Sequence, residues 1–121
     1  MTESTTTLWR PVGQKELDLI EASAWKRFPP RLLGQPIFYP VLNEEYATKI
    51  ARDWNTKDPA SEHVGHVLRF EVDSTYLRRF EPRRVGGRGI DELWVPAEDL
   101  DEFNDHIRGT IEIVSTHRPA V

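Results

Sequence analysis

Nine prolines in a chain of 121 residues constrain its fold more than any other feature. Proline lacks a backbone N–H and pushes its predecessor towards extended geometry, so it stands at strand ends, edges, bulges and first helical turns. Pro11 and Gly13 therefore close a short strand over 8–12, read from "LWRPVG". Pro29 and Pro30 make a surface loop of "RFPPRLLGQP". The run "IFYPVL", 37–42, is apolar on both alternating faces, the pattern of a strand covered on both sides, and Pro40 marks an edge, a bulge or the strand's end. Pro96 or Ala97 opens a helix, because a missing N–H is harmless in a first turn.

The stretches between these stops carry clear periodicities. Residues 14–25 place Leu17, Ile20 and Ala24 at helical spacing, flanked by Leu19 and Trp25, which predicts about three turns of helix. Asn43 is a good N-cap for a second helix, Glu44 and Glu45 suit its dipole, and Tyr46, Ala47, Ile50, Ala51 and Trp54 form its buried stripe. Val64, His66, Leu68, Phe70 and Val72 alternate with Gly65, Val67, Arg69 and Glu71 as a half-buried strand, after which Asp73 caps a short helix with Tyr76, Leu77 and Phe80. "PRRVGGRGI" supplies a brief strand and a Gly-rich turn, 91–95 another strand, and Leu100, Phe103 and Ile107 the face of a last helix before a strand at 109–114. Short strands mixed with three or four helices, without regular alternation, predict one α+β domain over 8–114 with a largely antiparallel sheet. A flexible N-terminal tail, 1–7, and a C-terminal tail, 115–121, flank it.

Composition narrows the chemistry. With no cysteine and four scattered histidines, thiolate sites and thiol nucleophiles are excluded and no metal is expected. "MTESTTT" lacks the basic and apolar parts of a signal peptide, and no apolar run approaches a bilayer span, so the expected location is cytoplasmic with no membrane partner. A net charge of -4 argues against general nucleic-acid binding. Arg78, Arg79, Arg83, Arg84 and Arg88, interrupted by Glu81, read either as a solvated face or as a local anion site. "GGRG" at 86–89 is too short and generic for a phosphate loop, and no P-loop, dinucleotide fingerprint or Ser-His-Asp pattern occurs.

Strand parity singles out a few side chains. Within 91–95, Glu92 points to the side of Trp94, while Leu93 and Val95 point to the other and take the core. The carboxylate and the indole together make either a solvated strand face or a cleft in which the ring stacks and the acid accepts hydrogen bonds. Asp91 reads as an edge charge, and Glu98, Asp99, Asp101 and Glu102 as helix-start and solvent-face charges. Arg10 shares a face with Leu8 and Val12, so its guanidinium turns inward and needs either a buried carboxylate or a ligand phosphate. Tyr39 is either a core tyrosine or a cleft wall, and His66, on the apolar face of its strand, reads as a hydrogen-bonded core histidine before a general base.

In this order, "LWRPVG", "IFYPVLNEEYATKIARDW" and "DELWVPAEDLDEF" resemble the first strand, the strand-helix unit and the glutamate strand of the ADP-ribosyltransferase-like fold. From Leu8 to about Ile113 the chain is similar to small bacterial proteins of the "ADP-ribosylation/crystallin" family. The resemblance implies a split, mostly antiparallel sheet with three to four short helices, NAD as substrate, and transfer of ADP-ribose to an acceptor or hydrolysis of NAD. It implies that Arg10 contacts the NAD diphosphate or its ribose, that Tyr39 lines the nicotinamide site, and that Glu92 is catalytic, while Trp94, beside Glu92 by parity, is a further cofactor-binding candidate. A carboxylate suits that place because cleavage of the ribose–nicotinamide bond develops an oxocarbenium-like charge. Ile90 stands where arginine-modifying members carry Glu or Gln, so the resemblance names no acceptor, and Tyr39-Pro40 replaces a Ser/Thr as in tyrosine-bearing members. The alternative on the same fold is a non-catalytic module that binds ADP-ribose, another nucleotide or a partner protein.

Overall fold

The chain's structure is a computed structural model that describes residues 4–84 and 91–119. In chain order its elements are β1 (Thr5–Val12), α1 (Gln14–Ala22), β2 (Ile37–Phe38), α2 (Glu44–Asp53), β3 (Gly65–Asp73), α3 (Ser74–Leu77), β4 (Arg83–Arg84), β5 (Asp91–Glu92), β6 (Val95–Pro96), α4 (Leu100–Asp105) and β7 (Ile107–His117). Tighter 3-10 turns cover Asn55–Lys57, Pro59–Ser61 and Ala97–Asp99. The domain is α+β, and its strand pairs are antiparallel. The Gly-rich turn expected at 86–89, with Arg88 and Ile90, lies outside the described residues.

The alternating run becomes the central strand, β3, between β1 and β7. It is covered on both faces where a half-buried strand was expected, with only Arg69 exposed. The physical reason is α2, whose Ala47 and Ala51 close over Val67 and Val41 on the reverse face, while Leu68, Phe70 and Val72 enter the main core. Alanines form that seam because helix and strand touch backbone to backbone: a Cβ on Gly65 would lie 2.4 Å from the Ala51 carbonyl oxygen. Gly65→Ala should therefore destabilise the fold by about 1–3 kcal/mol, the range for overpacking. An unchanged urea midpoint in that variant would refute this reading of the seam. Trp54, expected in the buried stripe, is 74% exposed, because α2 ends at Asp53 and Trp54 is its C-cap, where helical spacing no longer sets direction.

Several boundaries move for local reasons. β1 begins at Thr5, three residues before the expected start, because Thr5 and Thr7 donate their hydroxyls to Glu71 across the β1–β3 ladder. Helix α1 stops at Ala22 instead of reaching Trp25: the Ser23 hydroxyl bonds the Ile20 carbonyl, and Ala24 and Trp25 take positive φ angles of 62° and 64°. The stretch 37–42 is a strand only to Phe38, as Pro40 breaks it before Val41 rejoins the sheet as a single bridging residue. Asp73 does not cap α3 with its side chain, because its carboxylate is held by the Arg108 guanidinium. Ile107 belongs to β7, not to the last helix, and that strand runs on to His117 through two register shifts.

The core joins the inner face of the sheet to α1, α3 and α4 through an aromatic cluster. Phe103 of α4 meets Phe38, Phe70, Tyr76 and Phe80 at centroid distances of 5.6–6.3 Å. Among the described residues, no helix is long and apolar enough to cross a membrane.

Candidate functional site

Val41 is the residue from which the site is built. Its backbone N–H and C=O both bond Trp9 at 2.9 Å on one side, and it bridges Glu92 on the other. One residue therefore joins β1 to β5, and the Leu93 amide bonds the Pro40 carbonyl at 2.8 Å alongside. Arg10, Tyr39, Glu92 and Trp94 are thereby brought from three distant parts of the chain into the wall of one open cleft of about 410 Å3, with Pro11, Ile50 and Asn55.

Each of these side chains has a defined setting. The strand expected over 91–95 is instead two short strands, β5 and β6, with Leu93 and Trp94 between them, because β5 pairs with β4 and β6 with β2; Leu93 and Val95 are still buried, and Glu92 and Trp94 line the cleft. The Trp94 indole N–H donates to Glu92 Oε1 at 2.8 Å, which orients the carboxylate. Tyr39 and Trp94 stand edge to face, 5.9 Å apart at 89°, each a little over one third exposed, and make an aromatic corner. Tyr39 is thus part of a cleft wall and not a core tyrosine.

Arg10 is 9% exposed and turns inward between Leu8 and Val12. Its partner is a protein carboxylate: Nε and Nη2 donate to Glu16 Oε2 and Oε1 at 2.7 and 3.0 Å, a bidentate fork to the first turn of α1. Its guanidinium carbon also lies 4.6 Å from the Phe38 ring centroid.

Sequence reasoning passed over three contributors. Glu16 reads as an ordinary helix-start acid, and only the fold shows it turned back onto β1. Arg31, in the proline-rich loop, is not in the cleft lining but holds its guanidinium carbon 6.0 Å from the same Phe38 ring, and its Nε is buried with no hydrogen-bond partner among the described residues. Burial pushes the Arg31 guanidinium below its ordinary range, and the neighbouring Arg10 charge adds to that effect. Asn55 donates from Nδ2 to the Ser61 hydroxyl at 3.0 Å, and its Oδ1 is buried with no hydrogen-bond partner among the described residues. No signal of spacing or parity marks Arg31 or Asn55.

Other candidates resolve differently. Both ring nitrogens of His66 are engaged, Nδ1 with Thr116 Oγ1 and Nε2 with Gln14 Oε1, each at 2.9 Å, so it is a structural histidine. Burial first, and Arg118 second, lower its pKa. Above the unfolded value of about 6.5 both states carry a neutral ring; as pH falls through it the unfolded chain takes the proton first, so stability declines there. Thermal unfolding between about pH 7 and pH 5 should show that decline, reduced in His66→Gln. Of the arginine cluster, Arg79 pairs with Glu102 and lies over the Tyr76 ring, whereas Arg88 is outside the described residues. No group of three or more His, Asp or Glu able to hold a metal occurs among the described residues. A larger hollow of about 530 Å3 is lined by Leu19, Phe28 and Pro30, and its charged groups, Arg27 and Asp101, pair with each other.

No protein-family model matches the chain, and no curated protein matches it. What can be said of its activity therefore rests on the cleft: an aromatic corner, an oriented carboxylate and an inward arginine.

Proposed function

We propose that the cleft binds NAD on an ADP-ribosyltransferase-like fold and cleaves the ribose–nicotinamide bond, passing ADP-ribose to an acceptor or to water. The observation that carries this reading is convergence: Arg10, Tyr39, Glu92 and Trp94, separated by up to most of the chain, line one opening. Its volume of about 410 Å3 falls within the roughly 300–1,000 Å3 of ordinary ligand pockets. The Tyr39–Trp94 corner offers a stacking wall for nicotinamide, and Glu92, fixed by the indole N–H, sits beside it. As the glycosidic bond breaks, its electron pair leaves with nicotinamide and positive charge grows on the ribose. A carboxylate already in place stabilises that charge without reorganising, and accepts a hydrogen bond from a ribose hydroxyl.

One observation favours a second reading, a module that binds nucleotide without turnover. Both charged groups already have protein partners, Arg10 in Glu16 and Glu92 in Trp94, as they would in a site that only holds its ligand. One experiment separates the two: incubation with NAD, following free nicotinamide, beside the melting temperature with ADP-ribose. Nicotinamide release that depends on Glu92 supports transfer; a rise in melting temperature without release supports the module. With neither, both readings fail.

A further inference from the structure

Among the described residues, the two most exposed large aliphatic side chains are neighbours, Leu32 at 70% and Leu33 wholly in water. A specified turn holds them out. The Gln35 N–H donates to the Leu32 carbonyl at 3.0 Å, the Leu32 N–H donates to Gln35 Oε1 at 3.1 Å, and Gly34 takes a φ of 86° that glycine adopts without strain. The chain reaches this turn from the wall of the hollow of about 530 Å3, whose lining is mostly apolar and includes Leu19, Phe28, Pro30, Ala97 and Leu100. Its polar members are already engaged: Arg27 holds Asp101 and Asp105 at 2.8 Å each, and the Ser23 hydroxyl donates to the Ile20 carbonyl. No charged side chain of the lining awaits a polar ligand. Apolar turn and apolar hollow together mark a contact surface.

We propose that two copies of the chain form a two-fold dimer in which the Leu32–Leu33 tip of each fills the hollow of the other. Pro30 is in the hollow's wall, and Leu33 is three residues on, at most about 11 Å of chain away. A knob and a hole so close on one surface are exchanged by a rotation axis passing between them, which satisfies both and leaves neither to propagate. Arg31 does not bring two cations to that axis, because its guanidinium turns onto the buried Phe38 ring. Each dimer buries four leucines, and one fully buried leucine is worth about ten- to a hundredfold in an equilibrium constant. Four are of the order needed to offset the lost freedom of two bodies, which sets the dissociation constant at roughly 1–100 µM. The hollow shares no lining residue with the cleft, so the dimer stands whether or not the cleft takes NAD.

Sedimentation velocity on the full chain, from micromolar to submillimolar concentration, should show a monomer passing to a dimer and no further. The double tip variant Leu32→Gln, Leu33→Gln should weaken that dimer by about a hundredfold or more. Ala22→Arg blocks the hollow from an exposed position in the last turn of α1, where a cation suits the helix, and should weaken it as much. Mixing the two variants isolates the exchange. The Ala22→Arg copy keeps its tip and the tip variant keeps its hollow, so the mixed pair has one intact contact that neither variant forms alone. The mixture should associate about tenfold or more tighter than either parent. Trp54→Gln, on α2 over the reverse face of the sheet, should leave the dimer unchanged. The proposal is overturned if the native chain stays monomeric or grows past the dimer, or if the tip variant dimerises within about twofold of the native chain. It is equally overturned if the mixture is no tighter than its parents, or if Trp54→Gln loses as much as they do.

Discussion

Glu92→Gln is expected to lower nicotinamide release from NAD by about a hundred- to a thousandfold, the usual loss when one preorganised electrostatic stabiliser is removed. Glutamine is isosteric and keeps an oxygen for the Trp94 indole N–H, which donates to Glu92 at 2.8 Å, so the aromatic corner stays in place. Only the negative charge is lost. Glu92 is half-buried at the cleft wall, so the melting temperature should scarcely change. The effect should fall on kcat, with ADP-ribose affinity held within a few fold, since the charge it answers exists only while the bond is breaking. Equal nicotinamide release by the native protein and by Glu92→Gln would remove the transferase reading.

The largest effect on stability is expected from Phe103→Ala. Phe103 is fully buried on α4 and is the ring on which Phe38, Phe70, Tyr76 and Phe80 all converge. Its removal leaves a cavity at the junction of the helices with the sheet and should cost about 3–5 kcal/mol. Urea denaturation measures it directly, and a loss below about 1 kcal/mol would mean that the cluster closes over the gap. The consequence reaches the cleft, because Phe38 packs on Phe103 with one side of its neighbourhood and carries Arg10 and Arg31 with the other. Phe103→Ala should therefore weaken ADP-ribose binding even where the protein remains folded.

What the amino-acid sequence disclosed about this site, and what it withheld, divides along a physical line. Alternation along extended backbone is local, so it separates the buried Leu93 and Val95 from Glu92 and Trp94 even though 91–95 is broken into two short strands, and within 8–12 it turns Arg10 inward. The α+β class and the antiparallel pairing follow from the same short strands and their proline stops. The identity of Arg10's partner is a tertiary fact: Glu16 is a helix-start acid by every local rule, and it meets Arg10 only because α1 folds back beside β1. Trp54 fails for a different reason, since helical spacing was carried one residue past Asp53, where α2 ends. Arg31 and Asn55 lie in loops, where no periodicity reports direction.

Val41 gives the cleft a history as well as a shape. A single residue, paired with Trp9 on one side and with Glu92 on the other, ties together segments that are remote along the chain, so nothing local can assemble the opening. The two pairings of Val41 and the β1–β3 ladder all join distant segments, so loop closure must precede each of them. Helix α2, held by bonds between neighbouring turns, can form while the two cleft walls are still apart. During refolding, helical ellipticity should therefore return before the cleft is assembled, and a fragment ending before β5 loses one cleft wall together with α4 and β7.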